Sequence, residues 1–120
     1  MIRGIGLDLC EISRMAEAIR RPRFLERFFS EEERAYIAAK GKNAAQTAAG
    51  LYAAKEAFVK ALGTGIQSLD LQEIAVTHDG QGAPRYCLSG RYAALASAAW
   101  LSITHDGGIA AAVCVLEDRG

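Results

Sequence analysis

The chain has 120 residues and a formal net charge of zero, from 14 basic and 14 acidic side chains. This length fits one domain with a hydrophobic core, so residues 1–120 are predicted to form a single domain. The neutral balance gives no global signal for binding nucleic acid or an anionic membrane. No apolar run reaches the roughly 18 residues of a membrane span, and Asp8 and Glu11 interrupt any signal-peptide pattern. These features predict a cytoplasmic protein.

The first half of the chain is predicted to carry one strand and several short helices. Residues 2–9 alternate so that Gly4, Gly6 and Asp8 share one face of a strand, which leaves space there for something to approach. The next predicted elements are a helix over residues 10–20, a helical turn through Phe24 and Phe28, a helix capped by Ser30 and Glu33, and a basic loop at residues 40–43.

The longest predicted helix, residues 45–62, has two unlike faces. Residues placed at 100° intervals put an apolar arc toward the core: Leu51, Ala54, Phe58, Ala61 and Leu62. The opposite arc mixes charged with bulky apolar side chains: Tyr52, Glu56, Val59 and Lys60. A face open to water would be purely polar, so something is predicted to cover this second arc.

The second half of the chain is predicted to be rich in strands. These strands cover residues 70–77, 85–88, 100–104 and 109–116, and residues 91–99 are predicted to be helical. Residues 106–108 are the turn of a hairpin between the last two strands. Strand 109–116 is apolar on both faces, which predicts a central strand or one at a subunit interface. The whole pattern predicts an α+β fold, with a small antiparallel sheet, one long helix and several short ones.

Three charged residues are candidates for a metal and phosphate site. Asp8 lies on the glycine face of the first strand, where its carboxylate can reach a hard cation, although Glu11 three residues later also fits a helix cap. Glu56 and Lys60 have the i, i+4 spacing that also describes a surface ion pair. Carboxylates beside a lysine suit Mg²⁺ with a pyrophosphate, because the metal takes oxygen ligands and the lysine neutralises phosphate oxygens.

Two turns carry further candidate residues. The long helix ends in Gly63, Thr64 and Gly65, whose glycines allow amide groups to approach a phosphate, although glycine also ends ordinary helices. Lys60 would supply the positive charge, because a helix C-terminus is poor for anions. His105 precedes the hairpin turn and is predicted to be exposed, either as a simple surface histidine or as a group that holds a phosphate or passes a proton.

A basic segment between residues 14 and 27 is a candidate docking surface. Glu17 and Glu26 are its only acids, so the local net charge is +3 (five arginines minus two acids). Met15 and Phe24 give apolar anchors within this basic rim, which suits a small acidic protein partner. A solvated helix face is the alternative. The arginines are Arg14, Arg20, Arg21, Arg23 and Arg27.

Three separated motifs occur in the order and spacing of one known family. They are residues 4–8 (GIGLD), residues 53–66 (AAKEAFVKALGTGI) and residues 102–105 (SITH). Over residues 2–117 the chain resembles the holo-acyl-carrier-protein synthase family of 4'-phosphopantetheinyl transferases. The resemblance implies the fold of that family. It also implies Mg²⁺-dependent transfer of 4'-phosphopantetheine from coenzyme A to a serine of an apo acyl carrier protein, with release of adenosine 3',5'-bisphosphate.

The resemblance implies roles for individual residues. Asp8 and Glu56 match the family's metal ligands, Lys60 matches a lysine that contacts the pyrophosphate, and His105 matches a histidine close to the phosphates. A metal-activated water, Glu56 and His105 all stay open as acceptors of the serine proton. The family is typically a homotrimer with active sites between subunits, which would explain the covered arc and the apolar last strand. Its carrier-binding residues match Arg14, Arg20 or Arg21, Arg23 and Phe24.

Two positions depart from the family pattern. Leu51 stands where members often carry an arginine, and Ala83 stands before Pro84 where a basic residue is usual. Both changes remove positive charge near the expected nucleotide end of coenzyme A, where Pro84 is a candidate contact. Lys40 and Lys42 are assigned to the 3'-phosphate in their place.

Two other functions stay open on the residues alone. A non-catalytic carrier-binding module would use the arginine-rich segment, with Asp8, Glu56 and Lys60 as a vestigial site. A Mg²⁺-dependent enzyme acting on another nucleotide would use the same three residues and would have no need of the basic segment.

Overall fold

The computed structural model describes residues 1–63, 70–95 and 98–118. It shows the predicted α+β fold. The helices are α1 (Ile12–Ala18), α2 (Pro22–Phe28), α3 (Glu31–Ala38) and α4 (Ala44–Leu62). The strands are β1 (Ile2–Glu11), β2 (Ile74–His78), β3 (Pro84–Leu88), β4 (Ala99–Asp106) and β5 (Ile109–Glu117). Short 3₁₀ turns lie at Gly41–Asn43, Leu71–Glu73 and Gly90–Leu95. Among the described helices, none combines the length and apolarity needed to cross a bilayer.

The strands described form two antiparallel sheets. One has the order β1-β5-β4 and the other pairs β2 with β3. The central position of β5 explains why its sequence is apolar on both faces, and it confirms one of the two predicted alternatives. Gly107 and Gly108 link β4 to β5 with φ values of 57° and 81°, the left-handed conformation of a two-residue hairpin turn.

Helix α4 forms the centre of the core. Leu51, Ala54, Phe58 and Ala61 are buried as predicted, and Leu62 is half-buried. Val59 was assigned to the arc covered from outside, but it is only 2% exposed within the single chain. The chain's own fold therefore covers Val59, and this residue does not mark a subunit interface.

The glycine face of β1 lies directly against α4. A Cβ atom on Gly6 would fall 1.8 Å from the Ala57 carbonyl oxygen, and one on Gly4 would fall 2.0 Å from the Ala61 carbonyl oxygen. The space predicted beside these glycines is thus filled by the main chain of α4 rather than by a ligand. Asp8 continues the same face, and the close approach carries it to the helix.

Several predicted boundaries shift. Strand β1 runs on to Glu11, which pairs with Ile109 of β5, so α1 begins two residues later than predicted, at Ile12. The helix predicted at residues 91–99 is a 3₁₀ turn, Gly90–Leu95, and Ala99 already belongs to β4. The predicted capping box of α3 is present, with Ser30 and Glu33 bonded reciprocally to each other's backbone.

A buried ion pair, which the sequence analysis did not identify, joins α3 to α4. Lys55 is 0% exposed, and its Nζ donates to Glu33 Oε1 at 2.7 Å and to the carbonyl oxygens of Leu71 and Ile74, each at 2.9 Å. Glu33 Oε2 accepts from the Val76 backbone N–H at 2.9 Å. Burial lowers the pKa of Lys55, and the charge of Glu33 opposes that shift. The pair fastens the start of β2 to the central helix.

Candidate active site

Asp8 and Lys60 form an ion pair that joins β1 to α4. Lys60 Nζ donates hydrogen bonds to Asp8 Oδ1 at 2.8 Å and to the Leu7 carbonyl oxygen at 3.1 Å. The hydrogen bond to Asp8 and the charge of Asp8 raise the pKa of Lys60. Asp8 is not a helix cap, because α1 has Glu11 as its N-cap residue. Lys60 pairs with Asp8 rather than forming the predicted surface pair with Glu56.

Glu56 lies beside this ion pair, one helical turn before Lys60. Its carboxyl group is half-buried, and this burial, followed by the charge of Asp8, raises the pKa of Glu56. The nearby Tyr52 hydroxyl and the charge of Lys60 act in the opposite direction and lower the pKa of Glu56. Because Lys60 bonds Asp8 at 2.8 Å and lies one helical turn after Glu56, one small region holds all three residues, and we call it the carboxylate site. Repulsion between its two carboxylates favours a bound cation.

The donor chemistry of the carboxylate site fits Mg²⁺. Asp8 and Glu56 offer carboxylate oxygens, and Mg²⁺ in enzymes is usually held by one or two carboxylates while water and substrate phosphates fill its other positions. Across residues 1–63, 70–95 and 98–118, no group of three or more His, Cys, Asp or Glu side chains is arranged to hold a metal ion. Asp8 and Glu56 thus offer a metal ion two carboxylates.

The turn after α4 is described only at its first residue. Gly63 ends the helix with φ 76°, the left-handed conformation of a glycine C-cap. Thr64 and Gly65, which are predicted to contact a phosphate, lie outside the described residues. Lys60 lies in the last turn of α4, where a positive charge interacts favourably with the negative end of the helix.

His105 is exposed at the end of β4, as predicted, but it lies away from the carboxylate site of its own chain. Its Nε2 is 3.1 Å from the side-chain Nε2 of Gln46, near the start of α4. Glu56 follows ten residues later on the same helix (56 minus 46), which corresponds to about 15 Å along the helix axis. Within one chain the structure therefore brings together Asp8, Glu56 and Lys60, but not His105.

His105 instead lines a cavity of about 300 Å³, which we call the His105 cavity. Pro84 and Leu51 line the same cavity, and Ala83 is exposed next to Pro84. Of the two positions that depart from the family pattern, Leu51 lines this cavity with His105, and Ala83 only adjoins Pro84 in sequence. Because Leu51 carries no charge, the wall it contributes offers a phosphate no cation.

Lys40 lies near the His105 cavity, and Lys42 lies in the turn before α4. The ammonium of Lys40 is 4.5 Å from the ring centroid of Tyr36, and this ring lines the cavity and stacks on His78 with centroids 4.3 Å apart. Lys42 is exposed in the 3₁₀ turn Gly41–Asn43. Burial, followed by the charge of Lys40, lowers the pKa of His78.

The basic segment encloses a groove of about 370 Å³ between β1, α1 and α2, which we call the docking groove. It is lined among others by Arg14, Met15, Arg21, Phe24 and Tyr52. Met15 is only 4% exposed, so it is a core residue that forms the floor rather than an exposed anchor. The remaining predicted residues lie outside the groove lining and are exposed: Arg20, which pairs with Glu17 at 3.6 Å, and Arg23.

The face of the β1-β5-β4 sheet that points away from α4 is apolar and open. Ile5, Leu7 and Leu9 of β1 are each at least 60% exposed, and Trp100 of β4 is 51% exposed. We call these four residues the outer sheet face. Large exposed apolar patches are typical of interfaces, so this face, and not Val59, is the candidate subunit contact.

One polar contact of the candidate residues was not predicted from the sequence, that of Gln46 with His105. No sequence signal links that residue to His105, because their contact depends on how β4 crosses the start of α4.

The chain matches known proteins over nearly its whole length. Residues 4–114 match the sequence model described as the 4'-phosphopantetheinyl transferase superfamily. A holo-[acyl-carrier-protein] synthase of Treponema denticola is 43% identical over 122 residues, covering 98% of this chain and 99% of that protein.

Two solved structures with coenzyme A are also similar. The holo-(acyl-carrier-protein) synthase of Bacillus anthracis in complex with CoA (3',5'-ADP) has a TM-score of 0.85 and 36% identity, covering 99% of each chain. That of Helicobacter pylori in complex with coenzyme A has a TM-score of 0.79 and 34% identity, covering 94% of this chain and 99% of that one. With sequence and fold in agreement along the chain, it belongs to the 4'-phosphopantetheinyl transferase superfamily.

Proposed function

We propose that the protein transfers 4'-phosphopantetheine from coenzyme A to a serine hydroxyl of an apo acyl carrier protein and releases adenosine 3',5'-bisphosphate, with Mg²⁺ as cofactor. The contact of β1 with α4 carries this proposal, because it gathers Asp8, Glu56 and Lys60 into a site suited to a metal and a pyrophosphate. The coenzyme A complexes of similar proteins support the same substrate here. The proposal also includes the two sequence predictions that the chain forms a single domain and that the protein is cytoplasmic.

The residues of the carboxylate site have different proposed roles in the transfer. Asp8 and Glu56 would hold Mg²⁺, which when bound neutralises charge on the phosphate oxygens. Lys60 presents a second positive charge to the pyrophosphate. The serine oxygen forms a bond to the β-phosphorus while the bond from that phosphorus to the bridging oxygen breaks, and the leaving group is adenosine 3',5'-bisphosphate. Glu56, whose pKa is raised, and His105 are the chain's own candidate acceptors for the serine proton.

The nucleotide end of coenzyme A is assigned to the His105 cavity. Pro84 lines this cavity, Lys40 lies near it beside Tyr36, and Lys42 follows in the next turn. In this proposal Lys40 and Lys42 contact the 3'-phosphate, which compensates for the missing charge at Leu51 and Ala83. Since His105 and the carboxylate site are apart in one chain, the substrate would bridge two subunits.

A homotrimer would bring His105 of one subunit close to the carboxylate site of another. We expect Leu7→Lys to produce a monomer with strongly reduced transfer activity, because a charge at the centre of the outer sheet face opposes burial against another subunit. Sedimentation velocity and the transfer rate measure the two effects. Thr77→Lys, at an exposed position of β2, is the matched control. A trimer that survives Leu7→Lys, or a fully active monomer, would argue against an active site shared between subunits.

The docking groove is proposed to receive the carrier protein. Arg14→Glu is expected to raise the KM for apo carrier about tenfold or more while changing the KM for coenzyme A little, because it reverses a charge that faces an acidic partner. Steady-state kinetics with each substrate varied in turn would measure both constants. Equal changes in the two constants would indicate a general defect of folding.

One experiment tests the proposed function as a whole. The protein is incubated with coenzyme A, Mg²⁺ and an apo acyl carrier protein, and the intact mass of the carrier is measured. A gain of one phosphopantetheine group supports transfer, and a carrier whose serine is replaced by alanine is the control. No gain with several competent carriers would refute the proposal and leave the carrier-binding module and the enzyme acting on another nucleotide as explanations.

A further inference from the structure

Strand β4 packs on the first turns of α4 at two matched positions. Ile103 and His105 lie two residues apart on one face of β4, and Gly50 and Gln46 lie four residues apart on one face of α4. These spacings cover about 6.7 Å of strand and about 6 Å of helix. A Cβ atom on Gly50 would fall 3.0 Å from Ile103 Cγ2, and the side-chain Nε2 of Gln46 lies 3.1 Å from His105 Nε2. The close approach at Gly50 therefore places His105 over Gln46.

The two atoms in this contact determine which nitrogen of His105 carries the proton. The amide Nε2 of Gln46 has two N–H donors and no acceptor, so His105 Nε2 accepts the hydrogen bond. In a neutral imidazole one nitrogen accepts and the other carries the proton, which places the proton of His105 on Nδ1. An imidazolium donates from both nitrogens and could not accept from this amide. The contact thus holds a neutral ring with Nδ1 as its donor.

This tautomer distinguishes the two roles that the sequence left open for His105. Within residues 1–63, 70–95 and 98–118, Gln46 is the hydrogen-bond partner of the ring, and it occupies Nε2. The Nδ1–H group remains to donate to a phosphate oxygen. A group that takes the proton of a serine hydroxyl needs a free lone pair, and the lone pair of this ring already accepts from Gln46. Phosphate binding keeps the contact, whereas proton acceptance at Nε2 would break it.

We propose that Gln46 is a positioning residue that holds His105 in its Nδ1–H tautomer, so that His105 donates a hydrogen bond to a phosphate of coenzyme A and does not accept the serine proton. This inference rests on the proposed function, because it takes coenzyme A as the ligand of the His105 cavity, which both residues line. Of the chain's own candidate acceptors for the serine proton, it leaves Glu56.

The tautomer can be measured without any turnover. The protein is labelled with ¹⁵N-histidine, and the two ring nitrogens of His105 are observed by NMR at alkaline pH, where the ring is neutral. The spectrum of His105→Gln identifies the signals, because the chain has two histidines. We expect Nδ1–H in the parent protein. Gln46→Leu keeps the approximate size of the side chain without its amide and should shift the ring toward Nε2–H.

Thr47→Val is the matched control for Gln46→Leu. It removes a polar group from the next residue, which lines the same cavity, and should leave the ring in the Nδ1–H form. A parent protein with Nε2–H would overturn the inference. So would a Gln46→Leu protein whose tautomer is unchanged, or a Thr47→Val protein whose tautomer changes as in Gln46→Leu.

Two substitutions of His105 test its role in the transfer. Glutamine can donate to a phosphate but cannot accept a proton at neutral pH, and alanine can do neither. We expect the kcat of His105→Gln to fall by less than about tenfold, because loss of a general base would lower the rate by about 10²- to 10⁴-fold. His105→Ala should raise the KM for coenzyme A well above that of His105→Gln, and Gln46→Leu should raise this KM more than it lowers kcat.

The outcomes separate this inference from the proposed function. If His105→Gln lost as much kcat as a missing general base predicts, while the parent protein transfers phosphopantetheine, the inference would be overturned and the proposed function would stand. A parent protein that transfers nothing to competent carriers would overturn the proposed function, and with it the role assigned to His105. The NMR measurement would then still report whether Gln46 sets the tautomer.

Discussion

Glu56→Gln is expected to lower the rate of phosphopantetheine transfer by about 10²- to 10³-fold, the usual effect of removing one preorganised electrostatic group from an active site. Glutamine keeps the shape of the side chain but removes the charge that would hold Mg²⁺ beside Asp8. Burial, followed by the charge of Asp8, raises the pKa of Glu56. Mass spectrometry of the carrier over time, at saturating coenzyme A, measures the rate.

Asp8→Asn should have an effect of similar size, and Asp118→Asn is its matched control because Asp118 is exposed at the end of the described chain. Thermal unfolding of each variant reports whether the fold is retained. In Glu56→Gln the melting temperature should be unchanged or higher, since the variant relieves repulsion from Asp8. Full activity in Glu56→Gln at a buffered, low concentration of Mg²⁺ would contradict the assignment of Glu56 as a ligand.

The largest effect on stability is expected from Lys55→Met. This change leaves the Glu33 carboxylate buried without its partner and removes the donor to the carbonyl oxygens of Leu71 and Ile74. Breaking a buried ion pair from one side typically costs about 3–5 kcal/mol, a large part of the stability of a small domain. The free energy of unfolding in urea, followed by circular dichroism, measures the loss.

Lys60→Met is the matched control for Lys55→Met. Lys60 lies on the same helix with its side chain 56% exposed, so its removal should change the free energy of unfolding far less than that of Lys55 while lowering activity. The double variant Glu33→Gln with Lys55→Met should be more stable than the sum of the two single effects predicts, because it removes the orphaned charge. A Lys55→Met protein as stable as the parent would show that the buried pair contributes no net stability.

Much of the fold could be predicted from local patterns. The capping box at Ser30 and Glu33, the glycine turn at Gly107 and Gly108, and the apolar arc of α4 are each specified within a few residues, and the structure confirms them. The approach of Asp8 to Lys60 spans more than fifty residues of sequence. Spacing alone could not establish it, and the family resemblance supplied that link.

Other features depend on packing that no local pattern encodes. Lys55 immediately precedes the half-buried Glu56, so one step along α4 separates a fully buried lysine from the candidate metal site. Its burial follows from where α3 and β2 dock, because they supply Glu33 and the backbone carbonyls. The glycine face of β1 likewise suggested open space, and only the tertiary fold shows that α4 fills it.

The position of His105 shows a limit of a different kind. The resemblance implied that His105 lies close to the phosphates, and one chain by itself places it near the opposite end of α4. A sequence match records that residues serve one reaction. It does not record which copy of the chain supplies each residue, so the subunit arrangement has to be measured.

The glycine contact between β1 and α4 also affects how this protein can change over time. Main chain touches main chain at Gly4 and Gly6, so no layer of side chains lies between the strand that carries Asp8 and the helix that carries Glu56. Substitutions elsewhere in the core can alter side-chain volume without acting as spacers between these two elements. The distance between the backbone positions of Asp8 and Glu56 is therefore set by this main-chain contact and not by the sizes of core side chains elsewhere.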